Sequence, residues 1–138
     1  MSERVAITGV GVVTCLGANR ASTWDSLIAG KSGVGPVTLF DVSQCRCQTG
    51  GEVKRLELPP PALPKKKVAR LDRAGKMLLR ATHEALGQAQ LLGKRTDLPT
   101  FMGTTGGGMR SGELYHRAVL ASDRHAVHPS ALMQYVPQ

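Results

Sequence analysis

The fold of this chain is decided by its opening stretch, Arg4-Val-Ala-Ile-Thr-Gly-Val-Gly-Val-Val-Thr14. Its apolar and β-branched residues predict a strand over 4–14 that is buried on both faces. Gly9 and Gly11 leave out side chains where another backbone can approach closely. A short helix is predicted over 22–29, because Trp24, Leu27 and Ile28 share one helical face. Ser22 or Thr23 is the predicted cap at its start, and Gly30 is predicted to end it in the left-handed conformation.

The glycines of the opening stretch also raise the possibility of dinucleotide binding, because Gly9-x-Gly11 follows a predicted strand. The dinucleotide fingerprint needs a third glycine or alanine three residues later, for close packing of the following helix. Thr14 stands at that position, and the predicted helix begins several residues too late. The pattern therefore disfavours dinucleotide binding.

The rest of the chain alternates between helices and strands. The strongest helical signal covers 68–92, where alanines and leucines recur at steps of three and four and predict close packing against a sheet or another helix. A second buried strand is predicted over 100–103 and a further helix over 111–120. An irregular connection over 31–64 includes a possible hairpin around Gly50-Gly51. This order predicts the α/β class with parallel strands joined by a crossover helix.

The turn over 104–108 follows the second predicted strand, and ligands of such sheets bind at the carboxyl ends of strands. Its glycines would let a substrate approach the backbone. A phosphate-binding loop would end in Gly-Lys-Ser/Thr, whereas Gly108 is followed by Met109-Arg110. Binding of a nucleoside triphosphate is therefore disfavoured.

Positive charge is concentrated in the middle of the chain. The formal net charge is +8, and the stretch from Lys54 to Arg80 holds nine basic residues against two acidic ones. Two interpretations of this charge stay open: it attracts an acidic partner (a nucleic acid, an anionic surface or an acidic protein), or it is a solvated helix face. A nucleic-acid-binding domain is the weakest of these, since aromatic residues make up 4% of the chain and no nucleic-acid motif is present.

Composition predicts a single domain over 1–138 without a membrane span. The start has no basic and apolar leader, and three cysteines fit a reducing compartment better than a disulfide scaffold. The expected location is the cytoplasm. A metal site is not expected, because Cys45-x-Cys47 is spaced too tightly to share zinc with His125 and His128.

The first forty-one residues resemble the amino terminus of β-ketoacyl–acyl-carrier-protein synthases. They include the predicted strand and helix, a second glycine turn, Gly30-Lys-Ser-Gly33-Val-Gly35, and Phe40-Asp41. The resemblance implies an incomplete amino-terminal part of a thiolase-like αβαβα layered fold with a mostly parallel sheet. The complete enzyme would be an acyltransferase that performs decarboxylative Claisen condensation in fatty acid or polyketide biosynthesis. It would act as a homodimer or with a ketosynthase partner, on acyl carrier protein, and without a cofactor.

Site residues follow from the same resemblance. The segment Met102 to Met109 looks like the turn that borders the acyl-chain pocket, so Gly106 and Gly107 would line the pocket. Tyr135-Val136-Pro137 is similar to the segment whose aromatic residue reaches that pocket, here Tyr135. The basic patch before the long helix resembles the surface that docks the acidic carrier protein; its residues are Lys65, Lys66, Lys67 and Arg70.

The resemblance implies that the nucleophilic cysteine and the two histidines of the family lie beyond Gln138. Cys15, Cys45 and Cys47 lack the Ala-Cys-Ser setting of that nucleophile, so no catalytic residue is assigned in this chain. Three hypotheses remain open at this point. The chain is the amino-terminal fragment of a ketosynthase that is inactive alone, a stand-alone module that binds a carrier protein or a ketosynthase subunit, or a small basic nucleic-acid-binding domain.

Overall fold

A computed structural model describes residues 4–58, 64–94 and 97–121. Its elements, in chain order, are α1 (Arg20–Ile28), β1 (Val34–Pro36), β2 (Thr49–Gly51), α2 (Lys65–Arg70), α3 (Arg73–Gln88) and α4 (Met109–Ala121). They fall into two compact units. The first unit lies within Met1–Pro60 and Met77–Thr96, and the second lies within Pro61–Lys76 and Asp97–Gln138.

The sheet of the described ranges is one antiparallel pair, in which Val34 of β1 is opposite Gly51 of β2 and Pro36 is opposite Thr49. Gly50 and Gly51 therefore lie within a strand and not at a hairpin turn. The predicted strands over 4–14 and 100–103 carry no strand pairing. A strand exists only with a neighbour to share its hydrogen bonds, and the described residues place none beside these two segments. The parallel sheet with a crossover helix is consequently not seen here.

Segment 4–14 is instead held by side chains of α3. The Val10 amide donates to Gln88 Oε1 at 2.7 Å, and the Val12 amide donates to Glu84 Oε2 at 3.1 Å. The Glu84 carboxylate also accepts from the Arg20 amide, at 2.9 Å through Oε1. One carboxylate thus joins segment 4–14 and the amino terminus of α1 to α3, where the helix dipole of α1 favours negative charge.

The two glycines of segment 4–14 face the backbone of α3. A Cβ atom at Gly11 would overlap the Ala81 carbonyl oxygen and lie 2.7 Å from the Ala81 carbonyl carbon. A Cβ atom at Gly9 would overlap the Ala85 carbonyl oxygen in the same way and lie 3.1 Å from the Ala89 amide nitrogen. The close backbone approach predicted for the two glycines is confirmed. The alanine stripe meets segment 4–14, which has no strand pairing among the described residues, and not the sheet or second helix predicted for it.

Helix α1 begins two residues earlier than predicted, because Asn19 caps it. The Asn19 side chain accepts from the Ser22 amide at 2.8 Å, which satisfies one of the free donors at the helix start. The prediction that Ser22 or Thr23 caps this helix was wrong. Gly30 follows the helix with φ of +62°, in the left-handed conformation expected of it.

The predicted helix over 68–92 is two helices, α2 and α3, separated by Leu71 and Asp72. The extended backbone of Leu71 ends α2. Asp72 then starts α3, since its side chain accepts from the Gly75 amide at 2.6 Å and its carbonyl accepts from the Lys76 amide at 3.1 Å. The spacing of apolar residues at steps of three and four continues across Leu71 and Asp72. The sequence pattern therefore did not indicate that Asp72 caps a new helix.

Among the described residues no hydrophobic side chain is buried, and Thr23 is the buried polar one. Many large apolar side chains are instead exposed, including Val5, Ile7, Phe101 and Leu120 at 93, 84, 96 and 85% of their full area. None of the described helices is long and apolar enough to cross a bilayer. Within the described ranges, these apolar side chains are therefore left without covering protein neighbours.

Because exposed apolar side chains drive association in water, we expect the isolated 138-residue chain to be poorly soluble or to associate with itself or with a partner. Size-exclusion chromatography with light scattering at micromolar concentration measures this directly. Assemblies larger than the 14.7 kDa monomer are the expected result. A soluble monomer that melts in one cooperative transition would contradict it, and would favour a stand-alone module over a fragment.

Candidate functional site

The basic patch lies on α2, a helix of six residues in the second unit. All four of its predicted docking residues are exposed: Lys65, Lys66, Lys67 and Arg70. The helix carries no acidic residue in its first turn, and Lys67 and Arg70 stand in its last turn, where cations are favoured by the helix dipole. This exposed cationic surface is called the basic helix below.

The glycine-rich turn lies over 103–108, also in the second unit. Thr104 Oγ1 accepts from the Gly107 amide at 2.9 Å and so closes the turn. Gly108 is buried and has φ of +80°, a conformation that other residues rarely adopt. Its carbonyl accepts from the Gly112 amide at 3.0 Å, so Gly108 is also the residue from which α4 begins.

Asp72, at the start of α3 just after the basic helix, connects α3 with the glycine-rich turn. Its Oδ1 accepts from the Gly75 amide at 2.6 Å, and its Oδ2 accepts from the Gly108 amide at 2.9 Å. Both amides belong to helix starts, where the dipole favours a carboxylate. Sequence reasoning missed this residue, although an aspartate just before an alanine-rich helical run is a common cap signal.

The described residues bring the basic helix and the glycine-rich turn into one unit, while Tyr135 lies outside them. Gly106 is exposed, whereas Gly107 is half-buried. A cleft of about 480 Å³ lies in the first unit and includes neither glycine. It is lined by small and charged residues, among them Thr14, Cys15, Gly33, Glu52, Lys54 and Arg55.

Glu52, beside this cleft, fastens the connection between β1 and β2. Its Oε1 accepts from the Thr38 and Leu39 amides at 2.7 and 2.9 Å, and its Oε2 accepts from the Thr38 hydroxyl at 2.8 Å. The backbone bond from Thr38 is the main cause that lowers the pKa of this exposed carboxyl. The carboxylate is thus a structural acceptor.

All three cysteines are free and exposed. Hydrogen bonding with the Thr49 backbone, and then with its side chain, lowers the pKa of the Cys47 thiol from its ordinary value. In the part of the chain that the structure describes, no three His, Cys, Asp or Glu side chains come together as metal ligands would. His125 and His128 lie outside that part.

Comparison with known proteins gives one consistent result. The β-ketoacyl synthase N-terminal domain family matches residues 2–137. A 3-oxoacyl-[acyl-carrier-protein] synthase 2 from Coxiella burnetii is 33% identical over 130 residues, which cover 92% of this chain and 31% of the relative. The protein of the same name from Synechocystis is 32% identical over 111 residues, covering 78% of this chain and 26% of the relative.

A third relative with that name, from Staphylococcus aureus strain COL, is 27% identical over 139 residues, covering 99% of this chain and 33% of the relative. The chain thus spans about a third or less of the length of the curated relatives it matches. The family match over residues 2–137 includes the opening glycine stretch, the basic helix and the glycine-rich turn.

Proposed function

The chain belongs to the β-ketoacyl synthase family, matching its N-terminal domain, and we propose that it supplies a β-ketoacyl-acyl-carrier-protein synthase with the carrier-docking helix and part of the acyl pocket. The complete enzyme would condense acyl and malonyl units by decarboxylative Claisen chemistry, in fatty acid or polyketide biosynthesis. The observation that carries the proposal is the family match over residues 2–137.

We propose acyl carrier protein as the partner of the basic helix. The relatives are named for their action on this carrier, and the four cations of α2 offer an acidic protein an exposed surface of one sign. Complementary charge of this kind steers encounter and raises the association rate. Lys66 and Arg70 are the strongest candidates for direct contacts, as the resemblance to the family's docking patch implies.

We propose that Gly106 and Gly107, together with Tyr135, line the acyl pocket of the complete enzyme. A glycine-rich surface turn is suited to this role, because an acyl chain can approach a backbone that has no side chains. The exposed surface of Gly106 supports the proposal. None of the residues that line the cleft of the first unit belongs to this turn, so the cleft is not assigned to the acyl chain.

For the complete enzyme we propose the layered αβαβα fold, with segments 4–14 and 100–103 as strands of a mostly parallel sheet and residues 1–138 as part of a single domain. Uncovered apolar side chains in both segments, such as Ile7 and Phe101, support this arrangement. Neighbouring strands and helices would cover them, as parallel sheets require. A homodimer or a ketosynthase partner would complete the assembly.

The condensing step needs a thiolate of lowered pKa, usually at a helix amino terminus with oxyanion donors nearby. Cys47 has the lowered pKa but lies in the loop before β2, outside every helix. Cys15 and Cys45 likewise lie outside the helices. We therefore propose that none of the three cysteines accepts an acyl group and that this chain alone does not condense.

The test is to mix the 138-residue chain with malonyl- or acyl-loaded carrier protein, measuring binding by calorimetry and covalent transfer by intact mass. We expect salt-sensitive binding without acyl transfer, since the charges are present and the thiol site is not. An acyl adduct on Cys15, Cys45 or Cys47 would contradict the assignment of no catalytic residue. A complete lack of carrier binding at low salt would contradict the docking role.

A further inference from the structure

We propose that Asp72 is a positioning residue that ties the glycine-rich turn to the end of the basic helix, so that carrier binding on α2 is transmitted to the turn. The tether follows from the geometry of the second unit. The transmission rests on the proposed function, because it requires that a carrier protein binds α2.

The tether consists of one carboxylate shared between two helix starts. Gly75 is the third residue of α3, and its amide has no acceptor within the helix, so Asp72 Oδ1 supplies one at 2.6 Å. The Gly108 amide lies at the start of α4 and donates to Asp72 Oδ2 at 2.9 Å. Hydrogen bonds to an ionised carboxylate are stronger than those between neutral groups.

Glycine at both partners permits this close arrangement. A Cβ atom at Gly75 would lie 3.1 Å from Asp72 Oδ1, so a side chain there would crowd the carboxylate. Gly108 presents its amide to Oδ2 from a left-handed backbone with φ of +80°. The carboxylate and the two glycines therefore act as one unit that fixes where the turn ends.

The tether is close to the basic helix along the chain. Leu71 alone separates Arg70, the last residue of α2, from Asp72, and the Leu71 amide still donates to Val68 of α2 at 3.2 Å. A displacement of α2 by a docked protein therefore moves the backbone of Asp72 with it. Because Oδ2 holds Gly108, the movement reaches the turn that carries Gly106 and Gly107.

The substitution Asp72→Ser removes the bond to the Gly108 amide while keeping a side chain that can cap α3. Serine is a good N-cap, so α3 should still begin at Arg73, but its single hydroxyl has no second oxygen for Gly108. Asp72→Asn is the isosteric companion, with one acceptor oxygen in place of two. Glu113→Gln is the matched control, since it removes a carboxylate of α4 whose partner is Arg117, at 2.7 Å.

The experiment is hydrogen–deuterium exchange of the full 138-residue chain, read at single residues by fragmentation mass spectrometry, with and without carrier protein. We expect Asp72→Ser and Asp72→Asn to speed exchange of the Gly108 amide by about tenfold, as the loss of one charge-assisted bond implies. Glu113→Gln should leave it unchanged. Carrier protein should alter exchange over 103–108 in the native chain but not in Asp72→Ser, while its footprint over 64–71 persists in both.

Unchanged Gly108 exchange in both Asp72 variants would overturn the tether. A carrier effect on 103–108 that survives in Asp72→Ser, or one absent from the native chain despite a footprint on α2, would overturn the transmission. Absence of any footprint on α2 would instead contradict the proposed docking function, and the Gly108 rates would still decide the tether. Helical circular dichroism of Asp72→Ser equal to the native signal shows that lost protection is local.

Discussion

Gly11→Ala is expected to destabilise the packing of segment 4–14 on α3 by about 3 kcal/mol, the upper range for overpacking a tight contact. The added Cβ would overlap the Ala81 carbonyl oxygen and lie 3.0 Å from the Ala85 amide nitrogen. Both are backbone atoms of a helix, and they cannot move out of the way as the end of a flexible side chain can. The segment must therefore move away from α3, which weakens the bonds from Val10 and Val12.

Urea unfolding followed by circular dichroism measures this change, together with the rate of proteolysis in segment 4–14. Gly35→Ala is the matched control, because it adds the same methyl group in β1, where a Cβ atom meets nothing within 4 Å. The control should change stability by about 1 kcal/mol or less. Equal stability of the two variants would show that the contact of segment 4–14 with α3 does not contribute to folding.

The double charge reversal Lys66→Glu with Arg70→Glu is expected to weaken carrier binding roughly thirtyfold at low salt. The estimate takes about 1 kcal/mol for each reversed surface charge, and 1.4 kcal/mol corresponds to a factor of ten. Both side chains are exposed on α2, so the loss should come mainly from the association rate and shrink in high salt. Titration calorimetry at two ionic strengths provides the measurement.

Lys31→Glu with Lys94→Glu is the control for net charge, since both lysines are exposed and belong to the first unit. It changes the formal charge by the same amount without touching α2. We expect little loss of affinity from it. A loss equal to that of the α2 pair would mean that total charge attracts the carrier and that the basic helix is not a specific docking surface.

The features predicted correctly from sequence are those set by short-range chemistry. Gly9 and Gly11 could be assigned to close backbone contact because glycine among β-branched residues serves few other purposes, and the alanine stripe of α3 supplied the opposing surface. Gly30 could be placed in the left-handed conformation because it follows the last apolar residue of α1. In each case the signal lies in the residue itself and its neighbours along the chain, even though the contact of Gly9 and Gly11 is with a distant helix.

The features missed depend on distant partners. Asp72 and Gly108 are 36 positions apart, and nothing in the sequence shows that the Gly108 amide will donate to the Asp72 carboxylate. Glu84 reads as a surface residue of an amphipathic helix, yet it holds amides 72 and 64 positions away. The strand at 4–14 was predicted from composition, but pairing needs a second strand, and no described segment provides it.

The contact between Gly11 and the Ala81 carbonyl has a consequence for how this protein can vary. When two side chains collide, a smaller residue on one element can compensate for a larger one on the other. Here the obstacle is a main-chain atom that every amino acid carries, so no substitution on α3 restores the space. Second-site suppressors of a change at Gly9 or Gly11 should therefore not arise at positions 81 or 85, and the two glycines should lack covarying partners there.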